Sequence, residues 1–169
     1  MRFSLVVLFA ASLVSASSVF KRWNDDYGVP SCAKPCVANV DPWPCSRDDK
    51  ACICINSNYG AQLDECIEGA CSPEDVKAAT EAGKKYCKAA GIDPENPFPK
   101  CGVHCFENAP TSNCYQDDNK CLCEEKDFLE SFVWCFKDSC KGEDLKTAKC
   151  VGEAWCRAAG VDISSIFGS

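Results

Sequence analysis

The sequence predicts an all-α, small disulfide-rich fold assembled from two tandem units. Three observations carry that reading: the cysteine density, an internal repeat of the cysteine spacing, and helical periodicity around the cysteines. Seventeen cysteines in 169 residues is the density of a secreted disulfide scaffold. Eight of them, Cys32, Cys36, Cys45, Cys52, Cys54, Cys66, Cys71 and Cys87, recur 69 residues later as Cys101, Cys105, Cys114, Cys121, Cys123, Cys135, Cys140 and Cys156. No insertion or deletion interrupts the register, so the chain is a diverged duplication. Asp48-Asp49 recurs as Asp117-Asp118, and Ala89-Ala90-Gly91 as Ala158-Ala159-Gly160.

Each unit spans 56 residues from first to eighth cysteine. A core that small is marginal alone. Four bridges at roughly 2–4 kcal/mol each offset the deficit. The expected order is a signal peptide at 1–16, an N-terminal segment at 17–29, a first domain at 30–92, a proline-rich linker at 93–98 and a second domain at 99–169. Arg2 and the apolar run Leu5–Val14, followed by Val14-Ser15-Ala16, give the signal peptide and its cleavage position. Lys21-Arg22 reads either as a processing site, making 17–22 a pro-segment, or as two solvated charges. The prolines at 94, 97 and 99 make the stretch 93–99, the linker and the residue that follows it, extended and semi-rigid. With no second apolar span and no GPI-type tail in the sequence, the expectation is a secreted, extracellular protein.

Helix signals dominate. Ser72-Pro73-Glu74-Asp75 has a capping Ser, Pro at the first position and acids in the first turn. Val76, Ala79, Gly83, Cys87 and Ala90 follow at helical spacing, and Gly91 supplies the stop. Leu145, Ala148, Gly152, Cys156 and Ala159 repeat the stripe, with Lys141-Gly142 where the Ser cap stood. A helix from Asp127, with Glu130 three residues on, carries Phe128, Phe132, Cys135 and Phe136 on one face. Cys32 and Cys36 lie at i and i+4, so a short helix puts both on one face. Pairing them with Cys66 and Cys71 would pin two antiparallel helices at two rungs.

The chemistry-bearing segments are Cys45 to Cys54 and Cys114 to Cys123. If Cys45 pairs with Cys52, and Cys114 with Cys121, Asp48-Asp49 and Asp117-Asp118 sit in tight closed loops. Such a loop holds a carboxylate with little freedom left to lose on binding. The alternative is that each Asp caps its own backbone.

The pattern Cys32-x3-Cys36-x8-Cys45, Asp49-x2-Cys52-x-Cys54-x11-Cys66-x4-Cys71-x15-Cys87, and its copy through Cys101, Asp118 and Cys156, resembles the fungal CFEM family. The resemblance implies two helical baskets bridged Cys32–Cys71, Cys36–Cys66, Cys45–Cys52 and Cys54–Cys87. Its second set is Cys101–Cys140, Cys105–Cys135, Cys114–Cys121 and Cys123–Cys156. It further implies ferric haem bound through an axial aspartate, Asp49 and Asp118 by position, for capture and transfer. A hard anionic oxygen suits ferric iron, and affinity should fall in acid because the ligand must be ionised. Trp43, Tyr59, Leu63, Tyr115, Phe128 and Phe132 are candidates for a platform under the porphyrin, or else ordinary core. Expected partners are haem or haem-carrying proteins, other CFEM proteins, or host proteins. The alternative function is a secreted effector or cell-wall interaction protein that uses the stapled fold as a protease-resistant scaffold without haem.

Several classes are excluded. A formal charge of -7 without a basic stripe argues against nucleic acid. No paired Cys-x2-Cys knuckles occur, and an oxidising compartment favours bridges over zinc thiolates. The adjacent Cys-Cys pair of hydrophobins and plant lipid-transfer proteins is absent. The single histidine, His104, cannot supply a repeated Ser-His-Asp or Cys-His site, so no enzyme is expected. His104 reads as a surface residue or a second haem ligand. Cys150 is the odd cysteine, opposite Glu81 in the repeat, and is expected to be an unpaired thiol open to a disulfide-linked homodimer.

Overall fold

The structure, a computed structural model, describes residues 27–167. The expected signal peptide and pro-segment lie outside the described residues. Among the described residues the secondary structure is helical throughout. The first unit contains α1 (Lys34–Asn39), α2 (Lys50–Ile55), α3 (Ser57–Ala70) and α4 (Pro73–Ala89). The second contains α5 (Lys100–Asn108), α6 (Asn119–Glu124), α7 (Lys126–Ser139), α8 (Gly142–Ala158) and the short α9 (Ser164–Phe167).

Local sequence explains the helix ends. Ser72 Oγ accepts the Asp75 N–H at 3.2 Å, Pro73 opens α4, and Glu74 and Asp75 face the positive end of the helix dipole. Gly91 and Gly160 follow α4 and α8 with φ of 80° and 84°, a backbone state in which a side chain is strained. Helix α8 has Lys141 as its N-cap, which makes no side-chain capping bond, and Glu143 and Asp144 supply its first-turn charge. Helix α7 differs from the sequence expectation. Its N-cap is Glu125 without a side-chain bond, and Asp127 lies inside the first turn. The reason is that α6 runs to Glu124, so one residue serves as the stop of one helix and the start of the next. In the first unit Asn56 plays that part, its Oδ1 accepting the Tyr59 N–H at 3.1 Å.

Eight disulfides staple the helices, in the pairs that the resemblance implies. Cys32–Cys71 and Cys36–Cys66 tie α1 and the turn before it to α3 and its end. Cys54–Cys87 ties α2 to α4, and Cys45–Cys52 closes a seven-residue separation in front of α2. Cys101–Cys140, Cys105–Cys135, Cys123–Cys156 and Cys114–Cys121 repeat this in the second unit.

The two cores differ in substance. The first is built from small and aliphatic residues: Val29, Ala33, Val37, Ile67, Ala79 and Ala82, with the disulfide sulfurs. The second holds Phe128, Phe132 and Phe136 at its centre, joined by Phe98, Phe106 and Trp155. Phe132 and Phe136 lie 4.3 Å apart, and Phe106 meets Trp155 edge-on at 4.9 Å. The units touch where α2 of the first lies along α8 of the second. Cys150, Glu153, Ala154 and Arg157 fall at i, i+3, i+4 and i+7, one face of α8.

Candidate ligand site

The two closed loops place both aspartates at helix starts. Asp49 is the N-cap of α2, and its Oδ1 accepts the Cys52 N–H at 3.1 Å. Asp118 is the N-cap of α6, and its Oδ1 accepts the Cys121 N–H at 3.0 Å. The i to i+3 bond is the capping geometry that Asp favours. Each carboxylate therefore keeps one oxygen for other work. Asp48 and Asp117 are exposed on the same turns.

The second oxygens have different fates. Asp49 Oδ2 accepts a hydrogen bond from Arg157 Nε at 2.6 Å, a contact between the units across 108 residues. Both side chains are under one-third exposed, and Glu153 lies 3.6 Å from the same guanidinium. Asp118 is exposed, and its Oδ2 has no partner among the described residues. Beside it Tyr115 is 81% exposed and its carbonyl accepts the Asp118 N–H at 3.1 Å. The outer positions of α6 carry Lys120 and Glu124, which approach to 4.0 Å. Their counterparts on α2 are Ala51 and Ile55.

The structure separates the platform candidates. Trp43 and Tyr115 are solvent-exposed. Phe128 and Phe132 are not surface residues as a platform requires: at 1% and 0% exposed they are central core, because the second unit fills its interior with rings. Tyr59 is buried and Leu63 half-buried. Together they line a cleft of about 520 Å³ in the first unit, between α3, α4 and the Pro94-Glu95 stretch. Tyr86 lines the same cleft. Burial raises the hydroxyl pKa of Tyr59, against the opposing pull of Arg47, and raises that of Tyr86 further.

His104 is exposed and sits 3.2 Å from Ser139 Oγ, over the Cys105–Cys135 bridge. The sulfurs nearest its ring are bonded to one another, so this group offers no thiolate ligands. Cys150, on α8, is unpaired and exposed. Partial burial raises its thiol pKa, Arg157 opposes this, and Glu153 and Asp49 add to it.

Two features escaped the sequence reading. Arg157 stands opposite Lys88 in the repeat, so the internal alignment gives no sign of a bond between units. The cleft did have a signal. Val29, Val37, Gly60, Leu63 and Ile67 stand against Phe98, Phe106, Leu129, Phe132 and Phe136, a smaller side chain at every position.

Comparison with known proteins agrees with this architecture. The family model of the CFEM domain matches residues 26–88 and 95–157. The chain is similar to Cell wall protein 1 of Candida albicans, 20% identical over 79% of this chain and 22% of that protein. It is similar to the GPI-anchored hemophore cfmA of Aspergillus fumigatus, 31% identical over 50% of this chain and 26% of that protein. The Secreted hemophore CSA2 of Candida albicans is 31% identical over 38% of this chain and 44% of that protein. In each of the three the match spans under half of the relative's length. No solved structure matches. Among the described residues no helix is long and apolar enough to cross a membrane. Two family matches, two eight-cysteine frames and two helical units stapled in one pattern make this chain a tandem member of the CFEM domain family.

Proposed function

We propose that this chain is an extracellular haem-binding protein that captures ferric haem through an axial aspartate and hands it on. The carrying observation is the free, exposed Oδ2 of Asp118, held outward by a disulfide-closed loop while Oδ1 is fixed by its cap. An anionic oxygen of this kind suits ferric iron. Asp49 has the same frame, but Arg157 occupies its outer oxygen. With the units docked, the reading is therefore one open haem site at Asp118 and one closed site at Asp49. Bound haem would supply a Lewis-acidic iron; the chain's own residues orient one carboxylate toward it. Two of the similar proteins named above carry the word hemophore, which supports the class of ligand. The role is binding and carriage rather than catalysis, and the partners are haem-carrying proteins or other CFEM proteins.

Titration of the purified chain with ferric haem, followed in the visible spectrum, tests the reading. Asp→Asn is the informative change, because Asn still caps a helix but carries no charge. Asp118→Asn should abolish the high-affinity spectral change, and Asp49→Asn should leave it. No spectral change in the unaltered chain would overturn the proposal.

A second reading is favoured by one observation. Lys120 and Glu124 flank Asp118 where an apolar ledge would support a porphyrin. On this reading the fold is a protease-resistant effector or cell-wall interaction scaffold that meets host proteins through its surface. The same titration separates the two.

A further inference from the structure

Neither Asp49 nor Asp118 lines the apolar cleft of the first unit. Its volume of about 520 Å³ falls among small-molecule sites, which run to roughly 300–1,000 Å³. The second unit shows what this fold does with the same space. There Phe98, Phe106, Phe132 and Phe136 pack ring on ring, and Leu129 is 3% exposed where the first unit has Gly60. A Cβ built at Gly60 or Gly83, both on the cleft wall, meets nothing within 4 Å. Among the described residues the first unit therefore leaves open a volume that its twin fills with flat rings.

The polar groups of the cleft narrow the occupant. Tyr59 is 6% exposed and lines the cleft, yet its hydroxyl has no partner among the described residues. Buried polar groups are nearly always paired, so an unpaired phenol calls for a reason. Its counterpart Phe128 has no hydroxyl, and there the space is filled. The hydroxyl is thus present only where the cleft is open. Among the described residues Lys84 is the one cation lining the cleft, and it is already held by Glu95 at 2.9 Å and Glu81 at 3.5 Å. Asp64 and Glu95 add negative charge to the wall. Among the described lining residues a carboxylate or phosphate headgroup finds no free cation.

We propose that this cleft binds a neutral, largely apolar ring lipid of sterol type, whose single hydroxyl or carbonyl pairs with Tyr59. The site is independent of the haem reading. Intrinsically fluorescent dehydroergosterol, titrated into the full chain, tests it. One saturable site per chain is expected, unchanged in the Asp49→Asn/Asp118→Asn double variant. Tyr59→Phe, the residue of the second unit, should weaken binding about tenfold through the lost hydrogen bond. Gly60→Leu copies Leu129, favours the helix and fills the cleft, so it should weaken binding by more than about tenfold. Circular dichroism of Gly60→Leu checks its fold, and Tyr59→Phe decides should that variant fail to fold. The proposal is overturned by no saturable binding to the full chain, by indifference to both substitutions, or by saturation with oleic acid but not the sterol. It is equally overturned if only a chain lacking residues 17–26 binds, since the occupant is then the protein's own N-terminal segment.

Discussion

Arg157 Nε donates to Asp49 Oδ2 across 2.6 Å, joining the last helical turn of α8 to the loop that opens α2. Both carboxylate oxygens of Asp49 are thereby engaged, one by its own helix and one by the other unit. Asp118 stands at the same place in the repeat and meets neither arginine nor partner unit among the described residues. Duplication followed by docking has made one aspartate a structural joint and left its twin at the surface.

Removing the joint should reopen the first loop. In Arg157→Ala, haem stoichiometry should rise from one to two per chain, with the added site lost again in Arg157→Ala/Asp49→Asn. A charge-assisted hydrogen bond of this burial contributes about 1.5–3 kcal/mol, so the units should also separate more readily. Small-angle scattering reports that separation without haem. An unchanged radius together with an unchanged stoichiometry would remove Arg157 from any gating role.

The unlike cores should respond unequally to truncation. Phe132 is fully buried among five other aromatic rings. Phe132→Ala should cost about 3–5 kcal/mol, because its neighbours cannot close over the void. Leu63 lines an open cleft and is already half-exposed to it. Leu63→Ala should cost less than about 2 kcal/mol, under the usual range for a buried leucine. Denaturant midpoints with all disulfides intact measure both, and equal losses would mean that the cleft is not open in solution.

Much of this was written in the spacing of the chain. The cysteine register located both units, and the Ser72-Pro73 start and the Gly91 and Gly160 stops marked real helix ends because those signals act over a few residues. The start of α7 was misplaced at Asp127 because Glu125 caps it without a side-chain bond, leaving no polar signature. Asp49 and Asp118 are indistinguishable in sequence. Their difference rests on Arg157, which is 108 residues from Asp49 and reaches it only once the units dock. Of the two readings open for Phe128 and Phe132, platform or ordinary core, burial in the second unit fits the core. An aromatic stripe reads alike whether it faces a ligand or a sister helix.

Tyr59 and Tyr86 give the fold an alkaline edge. Burial raises both hydroxyl pKa values above the ordinary value near ~10. A folded-state value above the unfolded one means stability intact below about pH 10 and lost as pH climbs past it. The urea midpoint should hold steady to about pH 9 and fall by pH 10.5. Tyr59→Phe should fall less steeply, and a fall of the same size in both proteins would assign the loss to other groups.

Cys150 should make dimers, and make them slowly at neutral pH. It is exposed and has no bridging partner within the chain. Partial burial raises its pKa, with Glu153 and Asp49 adding to the effect and Arg157 opposing it. The thiolate is the reactive species, so a raised pKa places the rise in reactivity at higher pH than for an ordinary cysteine. Iodoacetamide labelling should show a midpoint above the usual thiol value near ~8.5. Non-reducing gels should show a disulfide-linked dimer that accumulates faster at pH 9 than at pH 7 and vanishes in Cys150→Ser. A midpoint below the ordinary value would mean that Arg157, rather than burial, dominates the thiol. A dimer band that survives Cys150→Ser would place the linkage elsewhere.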